Sequence, residues 1–284
     1  MKKLLLFTIS AALGLTSYGQ FFQGFENWTT TSVPNLDDHE TMVDERWVEG
    51  GMAIFPSTDA HSGTYSVRLE TVISPTFGDT IFGYFTSGDP DNLTPGQSTT
   101  LNGIDSIIGY YKYDIQAGDS CSMIVGTSFM SNPTGGGIFY IPAGTQTTWK
   151  RFAYSINAPF SDSLLFAAAS GDPLNGFFGK PGSWIQLDDV QLKKGSQTVS
   201  VLNGGFENWT NINADDPTGW RTSNFVAIGE PVLPAIKTTD KYSGNFALEL
   251  TTITNGNNDT IGGIATNGDF DENDLFGGET YTSN

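Results

Sequence analysis

The sequence predicts an all-β protein built from antiparallel β-sandwich modules in tandem. Many short segments alternate between apolar and polar residues, which is typical of strands with one buried face. Glycine, proline, asparagine and aspartate separate these segments, and no amphipathic helical pattern stands out. A six-residue motif also recurs far along the chain, which indicates that a whole module is repeated.

The repeated motif is Gly-Phe-Glu-Asn-Trp-Thr. It occupies residues 24–29 and returns at residues 205–210, an offset of 181 positions. Ser62-Gly63 matches Ser243-Gly244 at the same offset. Because solenoid repeats span only about 20–50 residues, a period this long predicts tandem domains.

The strands are predicted from alternation and from β-branched and aromatic content. Residues 65–72 alternate with period two, and the neighbouring segments read in the same way. Residues 31–50 contain a proline and an acidic run and are predicted to form a loop. The predicted strands are residues 20–28, 65–72, 80–86, 107–115, 120–130, 139–141, 149–156, 163–168 and 184–192.

These observations predict four parts. They are a signal peptide at residues 1–19, a complete β-sandwich module at 20–195, a linker at 196–200 and a partial second module at 201–284. Matched to the first repeat, residue 284 falls near residue 100. We therefore expect the late strands of the second module to be missing from this sequence, so that it is truncated.

The first 19 residues have the three parts of a secretory signal. Lys2 and Lys3 precede an apolar run at residues 4–15, and Ser17 and Gly19 supply small residues before the expected cleavage point. The apolar run is short for a membrane span, and no later stretch is long enough for one. The sequence therefore predicts a protein that is secreted or held at the extracellular cell surface.

Charge and cysteine content narrow the classes of partner. The chain carries 13 basic and 31 acidic residues, a net charge of −18. This balance argues against nucleic acid, which is bound through basic patches, and it permits calcium sites, which use carboxylate oxygens. Cys121 is the single cysteine, so no intrachain disulfide forms, and its alternating context predicts a buried thiol.

Several motifs together resemble a known family. They are the Gly-Phe-Glu-Asn-Trp-Thr motif, Ser62-Gly63, the Gly-Tyr-Tyr-Lys-Tyr run at residues 109–113 and the Gly-Ser-Trp-Ile-Gln-Leu-Asp-Asp-Val-Gln-Leu run at residues 182–192. The pattern resembles the carbohydrate metabolism domain of secreted Bacteroidota proteins, which is similar to galactose-binding-like jelly rolls and carbohydrate-binding modules. The resemblance implies a jelly-roll sandwich and binding of a polysaccharide or other glycan.

The resemblance also implies a structural calcium ion (Ca2+) between the first and last strands. Its ligands here would be Glu26, Asp188 and the turn around Ser62, and Glu207 is the counterpart in the second copy. Calcium accepts mixed carboxylate and carbonyl oxygens, so the chemistry is consistent. Asp188 and Asp189 are expected to point to opposite faces of a strand, so only one of them is a predicted ligand.

Glycan binding requires exposed aromatic side chains. The candidates are Trp47, Tyr110, Tyr111, Trp149 and Trp184. Each of them is equally compatible with core packing, since burial of an aromatic side chain removes about 150–250 Å² from water.

No catalytic motif is present. His39 and His61 are the only histidines, and the chain has no metalloprotease, nucleophile-elbow or phosphate-loop pattern. The leading hypothesis is therefore a non-catalytic carbohydrate-binding protein that supports glycan capture or adhesion. The alternatives are a structural or adhesive surface protein without a soluble glycan ligand, and a carbohydrate-active enzyme.

Four short Asp-Ser/Thr-apolar sequences resemble O-glycosylation sites of Bacteroidota. They place the modified hydroxyls at Thr80, Ser106, Ser163 and Thr260. Ordinary strand starts have the same composition, so both interpretations stay open.

Overall fold

The computed structural model describes residues 24–75, 78–89, 94–172, 179–227, 230, 232–255 and 258–267. The predicted signal peptide lies outside these residues. The chain divides into a larger compact unit, residues 32–212, and a smaller one formed by residues 1–31 and 213–284. The chain passes from the smaller to the larger unit within strand β1 (Trp28–Leu36) and returns within strand β16 (Trp209–Pro217).

The larger unit consists mainly of short strands, together with two short helices and a few long strands. In chain order, its described elements after β1 are β2 (Glu40–Thr41), α1 (Met42–Glu45), α2 (Trp47–Ala53), β3 (Ile54–Ser57), β4 (Ser66–Glu70), β5 (Val72–Ile73), β6 (Thr80–Ile81), β7 (Tyr84–Thr86), β8 (Gly88–Asp89), β9 (Thr94–Pro95), β10 (Gln97–Ser98), β11 (Ile104–Phe129), β12 (Asn132–Ala158), β13 (Ser163–Ala169), β14 (Trp184–Lys194) and β15 (Gln197–Ser200).

The larger unit is an antiparallel β-sandwich organised by the long β11–β12 hairpin. The first half of β11 pairs with β14, which continues through β4 to β3, and this forms one sheet. The second half pairs with β13, which continues through β7 to β2. The register shifts between Ile115 and Ser120, where β11 passes from one sheet to the other. The predicted all-β, antiparallel sandwich class is confirmed.

The core lies between these sheets. In the first sheet, buried apolar residues of neighbouring strands stand opposite one another, as Ile54, Leu69 and Ile185 do. Because side chains alternate across a strand, the residues between them face outward. The thiol of Cys121 is fully buried, as predicted, and burial raises its pKa.

Residues 31–50, predicted to be a loop, contain two short helices. Thr41 caps α1 by accepting a hydrogen bond from the Val43 N–H, and Asp44 accepts a bond from the Thr41 N–H. This capping box was not recognised in the sequence because the helices are only four and seven residues long. Gly50 and Gly51 further weaken the helical pattern of α2.

Two other boundaries differ from the prediction. The expected linker at residues 196–200 contains β15, which pairs with the end of β14. The first described strand begins rather than ends at Trp28, since Phe25 has a φ of 45°, which does not fit an extended strand. Residues 20–23 of the predicted strand lie outside the described residues. The segment after β15 then packs on β14 through hydrogen bonds between Val190 and both Val201 and Gly204. Residues 201–212 therefore belong to the larger unit.

Within its described residues after β16, the smaller unit contains three strand pairs and one turn of 3₁₀ helix at Ser223–Val226. Its strands after β16 are β17 (Arg221–Thr222), β18 (Ala235–Thr238), β19 (Ala247–Leu250), β20 (Ile253–Thr254), β21 (Thr260–Ile261) and β22 (Ala265–Thr266). The order matches that of β2 to β7 in the first repeat. Among the helices that the structure describes, none is long and apolar enough to cross a membrane.

Candidate functional site

The candidate site lies on the outward face of the first sheet, near the middle of β14. Tyr110 and Lys112 of β11 stand opposite Asp188 and Gln186 of β14, so all four project to the same side. The opposite side of these strands carries the core residue Leu187. We call the side that carries Tyr110 the outer face.

The segment at residues 58–65, between β3 and β4, covers part of this outer face. The buried Gln186 amide donates hydrogen bonds to the Asp59 carbonyl, at 2.6 Å, and to the Ser66 hydroxyl, at 2.8 Å. The Lys112 ammonium group pairs with the Asp59 carboxylate. These polar bonds fix the segment against the sheet and carry His61 to the edge of the outer face.

A β-bulge in β14 brings two adjacent carboxylates to one turn. Asp189 has a φ of 52°, and the register with β11 shifts between Ile108 and Tyr110. Asp188 accepts the backbone N–H groups of His61, at 2.7 Å, and Ser62, at 3.1 Å. Asp189 contacts the His61 ring at Nδ1, at 2.6 Å, and accepts the Ser62 hydroxyl at 2.8 Å. The expectation that these aspartates face opposite sides was wrong, because a bulge interrupts the alternation.

The two carboxylates differ in environment. Asp188 is fully buried, and burial raises its pKa, although the hydrogen bonds from Ser62 and His61 act in the opposite direction. The Asp189 side chain retains 27% of its surface and the His61 side chain 31%. Asp188 therefore holds the turn, whereas Asp189 and His61 remain accessible to a ligand.

Three rings meet beside these groups. The His61 imidazole stacks on the Tyr110 ring, with centroids 3.5 Å apart and planes inclined by 13°. The Trp149 indole meets the same imidazole edge-on at 6.1 Å, and the Lys112 ammonium lies 5.0 Å from the indole centroid. The Trp149 Nε1 atom is buried without a hydrogen-bond partner among the described residues. The result is a packed set of rings with charged groups at its border.

An open pocket of about 290 Å³ lies next to these rings. Its aromatic wall is Tyr110, and Ile108 and Gly109 add apolar surface. Its polar groups come from separate elements: His61 from the turn, Arg151 from β12, and Asp189 and Gln191 from β14. The pocket thus combines an aromatic ring with an anionic, a cationic and an amide side chain.

The structure brings together some of the predicted ligand-binding aromatics and separates others. Tyr110 lines the pocket, whereas Trp149 contacts the same His61 ring without lining the pocket. Trp184 lies on the same face but is covered by the Arg68 guanidinium, 4.1 Å from its centroid. Tyr111 is on the core side, only 9% exposed and stacked on Phe152, so it is not a surface platform. The side chain of Trp47 lies outside the described part of the structure.

The predicted calcium ligands fall into two places. In the larger unit, Asp188 and Glu207 both bind the turn that contains Ser62. The Glu207 carboxylate accepts the N–H groups of Thr64, at 2.9 Å, and Tyr65, at 3.2 Å. In the smaller unit, Glu26 accepts the N–H group of Asn245. Glu26 is therefore not the residue that meets the Ser62 turn.

The residues that meet at the Ser62 turn do not form an oxygen cage as they stand. The turn offers N–H donors to both carboxylates, whereas calcium requires oxygen ligands. Within the described residues, no group of three or more histidine, cysteine or acidic side chains is arranged to hold a metal. Calcium binding stays a prediction.

The sequence did not single out His61, Arg151 or Gln191 as ligand-binding residues, and it considered Asp189 only as the neighbour of Asp188. Arg151 and Gln191 lie on different strands, and only the register of β11 with β12 and β14 places them near Tyr110 and Ile108. One signal was available, since His61 differs from its counterpart Tyr242 in the second repeat. The pocket therefore contains a residue that the two repeats do not share.

The predicted glycosylation sites differ in exposure. Thr80 and Thr260 are exposed and occupy corresponding strands of the two repeats. Ser163 is less accessible, because its hydroxyl lies 2.6 Å from that of Ser128 and donates to Asp162. Ser106 is half-buried within β11. Glycosylation stays a prediction, favoured at Thr80 and Thr260.

Comparison with known proteins gives likenesses of fold. No model of a protein family matches the chain, and no curated protein does. A proposed glycoside hydrolase from Bacteroides thetaiotaomicron matches with a TM-score of 0.38 and 17% identity, over 51% of this chain and 57% of its own length. The chain thus spans little more than half of that relative.

Two similar structures are carbohydrate-binding modules with bound sugars. TmCBM61 in complex with β-1,4-galactotriose matches with a TM-score of 0.32 and 12% identity, over 60% of this chain and 90% of its own. A family 11 module from Clostridium thermocellum, in complex with a mixed-linked tetrasaccharide, matches with a TM-score of 0.28 and 12% identity, over 60% and 91%. At these values the likeness concerns the fold alone.

Proposed function

We propose that the protein binds carbohydrate without catalysis, through the pocket beside Tyr110. The observation that carries the proposal is the convergence of one aromatic ring with Asp189, Arg151 and Gln191 around an open cavity of about 290 Å³. Binding sites for small ligands typically combine apolar walls with a few well-placed polar groups. The proposal rests on this pocket and not on the likeness of fold.

The pocket suits the two chemical faces of a sugar ring. The C–H groups of a pyranose are apolar and pack on an aromatic surface, which the stacked His61 and Tyr110 rings supply at the wall of the pocket. Its hydroxyl groups donate to a carboxylate and accept from a guanidinium or an amide. Asp189, Arg151 and Gln191 supply these three functions from two strands. The cavity has room for one or two sugar units.

The charge of the chain limits the class of glycan. A net charge of −18 repels polyanions at a distance, so neutral polysaccharides are the expected ligands. Arg151 also lines the pocket, and its positive charge locally offsets the negative charge of Asp189. We place this activity outside the cell or at its surface, in glycan capture or adhesion, as the sequence predicts.

Binding is tested with purified protein on a glycan array and on insoluble polysaccharides, followed by calorimetry with the best ligand. Asp189→Asn and Arg151→Ala are expected to weaken binding by at least about tenfold, because each removes a charge-assisted hydrogen bond. Lys150→Ala is the matched control, since Lys150 neighbours Arg151 on β12 and does not line the pocket. Equal affinities for Arg151→Ala and Lys150→Ala would exclude the pocket.

One observation favours a structural or adhesive role as the second candidate. Tyr111 is buried and Trp184 is covered by Arg68, so neither of these two predicted aromatics offers an open ring face to a sugar. A folded protein that binds no glycan on the array would favour this role. The enzyme alternative gains no support from the Asp188–Asp189 pair, because Asp188 accepts three backbone N–H groups and is fixed in place.

A further inference from the structure

Each copy of the repeated motif is docked on the turn of the other repeat. Residues 24–31, which we call the N-terminal segment, belong to the smaller unit, where Glu26 binds the turn after Gly244. Residues 205–212 belong to the larger unit, where Glu207 binds the turn after Gly63. The two docking sites are thus each filled by a segment remote in sequence.

The N-terminal segment is held by a small set of contacts. The Glu26 carboxylate accepts the N–H groups of Asn245, at 2.8 and 2.9 Å, and of Phe246, at 3.3 Å. The Phe25 ring packs against Trp220 with centroids 5.2 Å apart. The Asn27 carbonyl accepts the Thr218 N–H at 2.9 Å. These contacts recognise the side chains and backbone of the motif.

The larger unit holds the second motif by corresponding contacts. Glu207 accepts two N–H groups of its turn, and Phe206 packs against Phe85 with centroids 5.5 Å apart. The Asn208 carbonyl accepts the Asp37 N–H at 3.2 Å. Both tryptophans fold back alike, since Trp28 donates to the Phe25 carbonyl and Trp209 to the Phe206 carbonyl. The glutamate, the asparagine carbonyl and the tryptophan of the motif thus make matching contacts in both units.

Both turns contain a glycine that the docked carboxylate requires. Gly244 has a φ of 76°, and a side chain at this position would collide with the Glu26 carboxylate. Gly63 has a φ of 69° and stands in the same relation to Glu207. A substitution at Gly244 thus blocks the acceptor site without changing the N-terminal segment.

We propose that the docking site of the smaller unit accepts the N-terminal segment of a second copy of this chain, so that copies associate by segment exchange. The segment is attached to the larger unit through β1, and Asn245 lies 219 positions from Glu26 in sequence. Docking within one chain and docking between two chains use the same contacts. They differ only in the concentration of the segment at the turn, which within one chain is on the order of mM for a short connection. Exchange of an identical element is a low-cost route to dimers.

The test uses two full-length variants that are each defective in one half of the contact. Glu26→Ala removes the docked carboxylate and keeps the acceptor turn, whereas Gly244→Val blocks the turn and keeps the segment. Each variant alone is expected to stay monomeric in analytical ultracentrifugation. Their mixture is expected to form a species of twice the single-chain mass, because an intact segment and an intact turn are then present only on different chains.

A peptide of residues 21–32 provides the second measurement. It is expected to bind the Glu26→Ala chain and not the Gly244→Val chain, and the same peptide with Phe25→Ala and Glu26→Ala should not bind either chain. The milder pair Glu26→Gln and Gly244→Ala replaces the first pair if circular dichroism shows that a variant does not fold. A mixture that stays monomeric, together with a peptide that does not bind, would overturn the proposal and leave the carbohydrate pocket unaffected.

Discussion

At the residue scale, the turn at residues 61–65 is held by two carboxylates, one from strand β14 and one from the segment that precedes β16. Asp188 binds its first two N–H groups and Glu207 the N–H groups of Thr64 and Tyr65. The turn adopts this form because Gly63 has a φ of 69°, which other residues reach only with strain. Since His61 begins the turn, its placement at the pocket depends on these two carboxylates.

Gly63→Ala tests this dependence. It is expected to lower the free energy of unfolding by about 2–3 kcal/mol, which combines left-handed strain with displacement of Glu207. Gly195→Ala is the matched control, because Gly195 has a φ of 58° and open space around it. Its expected cost is the strain alone, about 1 kcal/mol. Equal losses of stability in urea unfolding would show that the Glu207 contact contributes nothing.

At the element scale, β11 separates two functions on its two faces. Its outer face carries Tyr110 and Lys112, and its core face carries Tyr111 and Tyr113, whose rings continue through Phe152. The sequence predicted a strand here, because its aromatic and β-branched residues are typical of strands. It did not predict that one 26-residue strand joins both sheets, because Gly118 and its polar neighbours resemble a break.

How the strands pair decides which part of the site the sequence could predict. Tyr110 and Trp149 were identified by residue type alone, and the structure places both rings against His61. Asp189 was assigned to the wrong face, because a bulge depends on how strands pair and leaves no local pattern in the sequence. Arg151 was not identified for a related reason, since its position depends on the register of β11 with β12.

The core-side rings predict a pH dependence of stability. Burial and the neighbouring Tyr111 raise the pKa of Tyr154 to about 12. An unfolded tyrosine ionises near pH 10, so the unfolded state releases its proton first and stability falls as the pH rises from about 10 to 12. Tyr154→Phe is expected to flatten this fall in chemical unfolding, because the group whose pKa is raised is then absent. An unaltered slope in Tyr154→Phe would contradict this assignment.

At the scale of the whole molecule, the two compact units do not coincide with the two predicted modules. The first motif copy belongs to the smaller unit and the second copy to the larger one. The boundary at residues 195–201 was predicted from polar composition. It is wrong because β15 pairs with β14 and the following residues pack on Val190. The fold class was predictable from alternation, whereas the assignment of the motifs depends on contacts between residues more than 140 positions apart.

The melting temperature of the whole chain tests whether calcium binds at the turn that contains Ser62. If Asp188 and Glu207 act as acceptors of backbone N–H groups, as they do here, calcium at about 1 mM and a chelator should give the same melting temperature. If the turn instead presents its carbonyl groups to a metal, calcium should raise the melting temperature and Asp188→Asn should abolish the rise. Differential scanning calorimetry with both solutions distinguishes these outcomes.

Carbohydrate binding at the pocket is decided by calorimetric titration of the full chain and its Asp189→Asn variant with the glycan that binds best on the array. The pocket beside Tyr110 predicts saturable binding by the native chain and a loss of at least about tenfold in the variant, with its melting temperature nearly unchanged. Binding that is equally strong in both proteins would place the glycan elsewhere. A native chain that binds no glycan would contradict the proposed function.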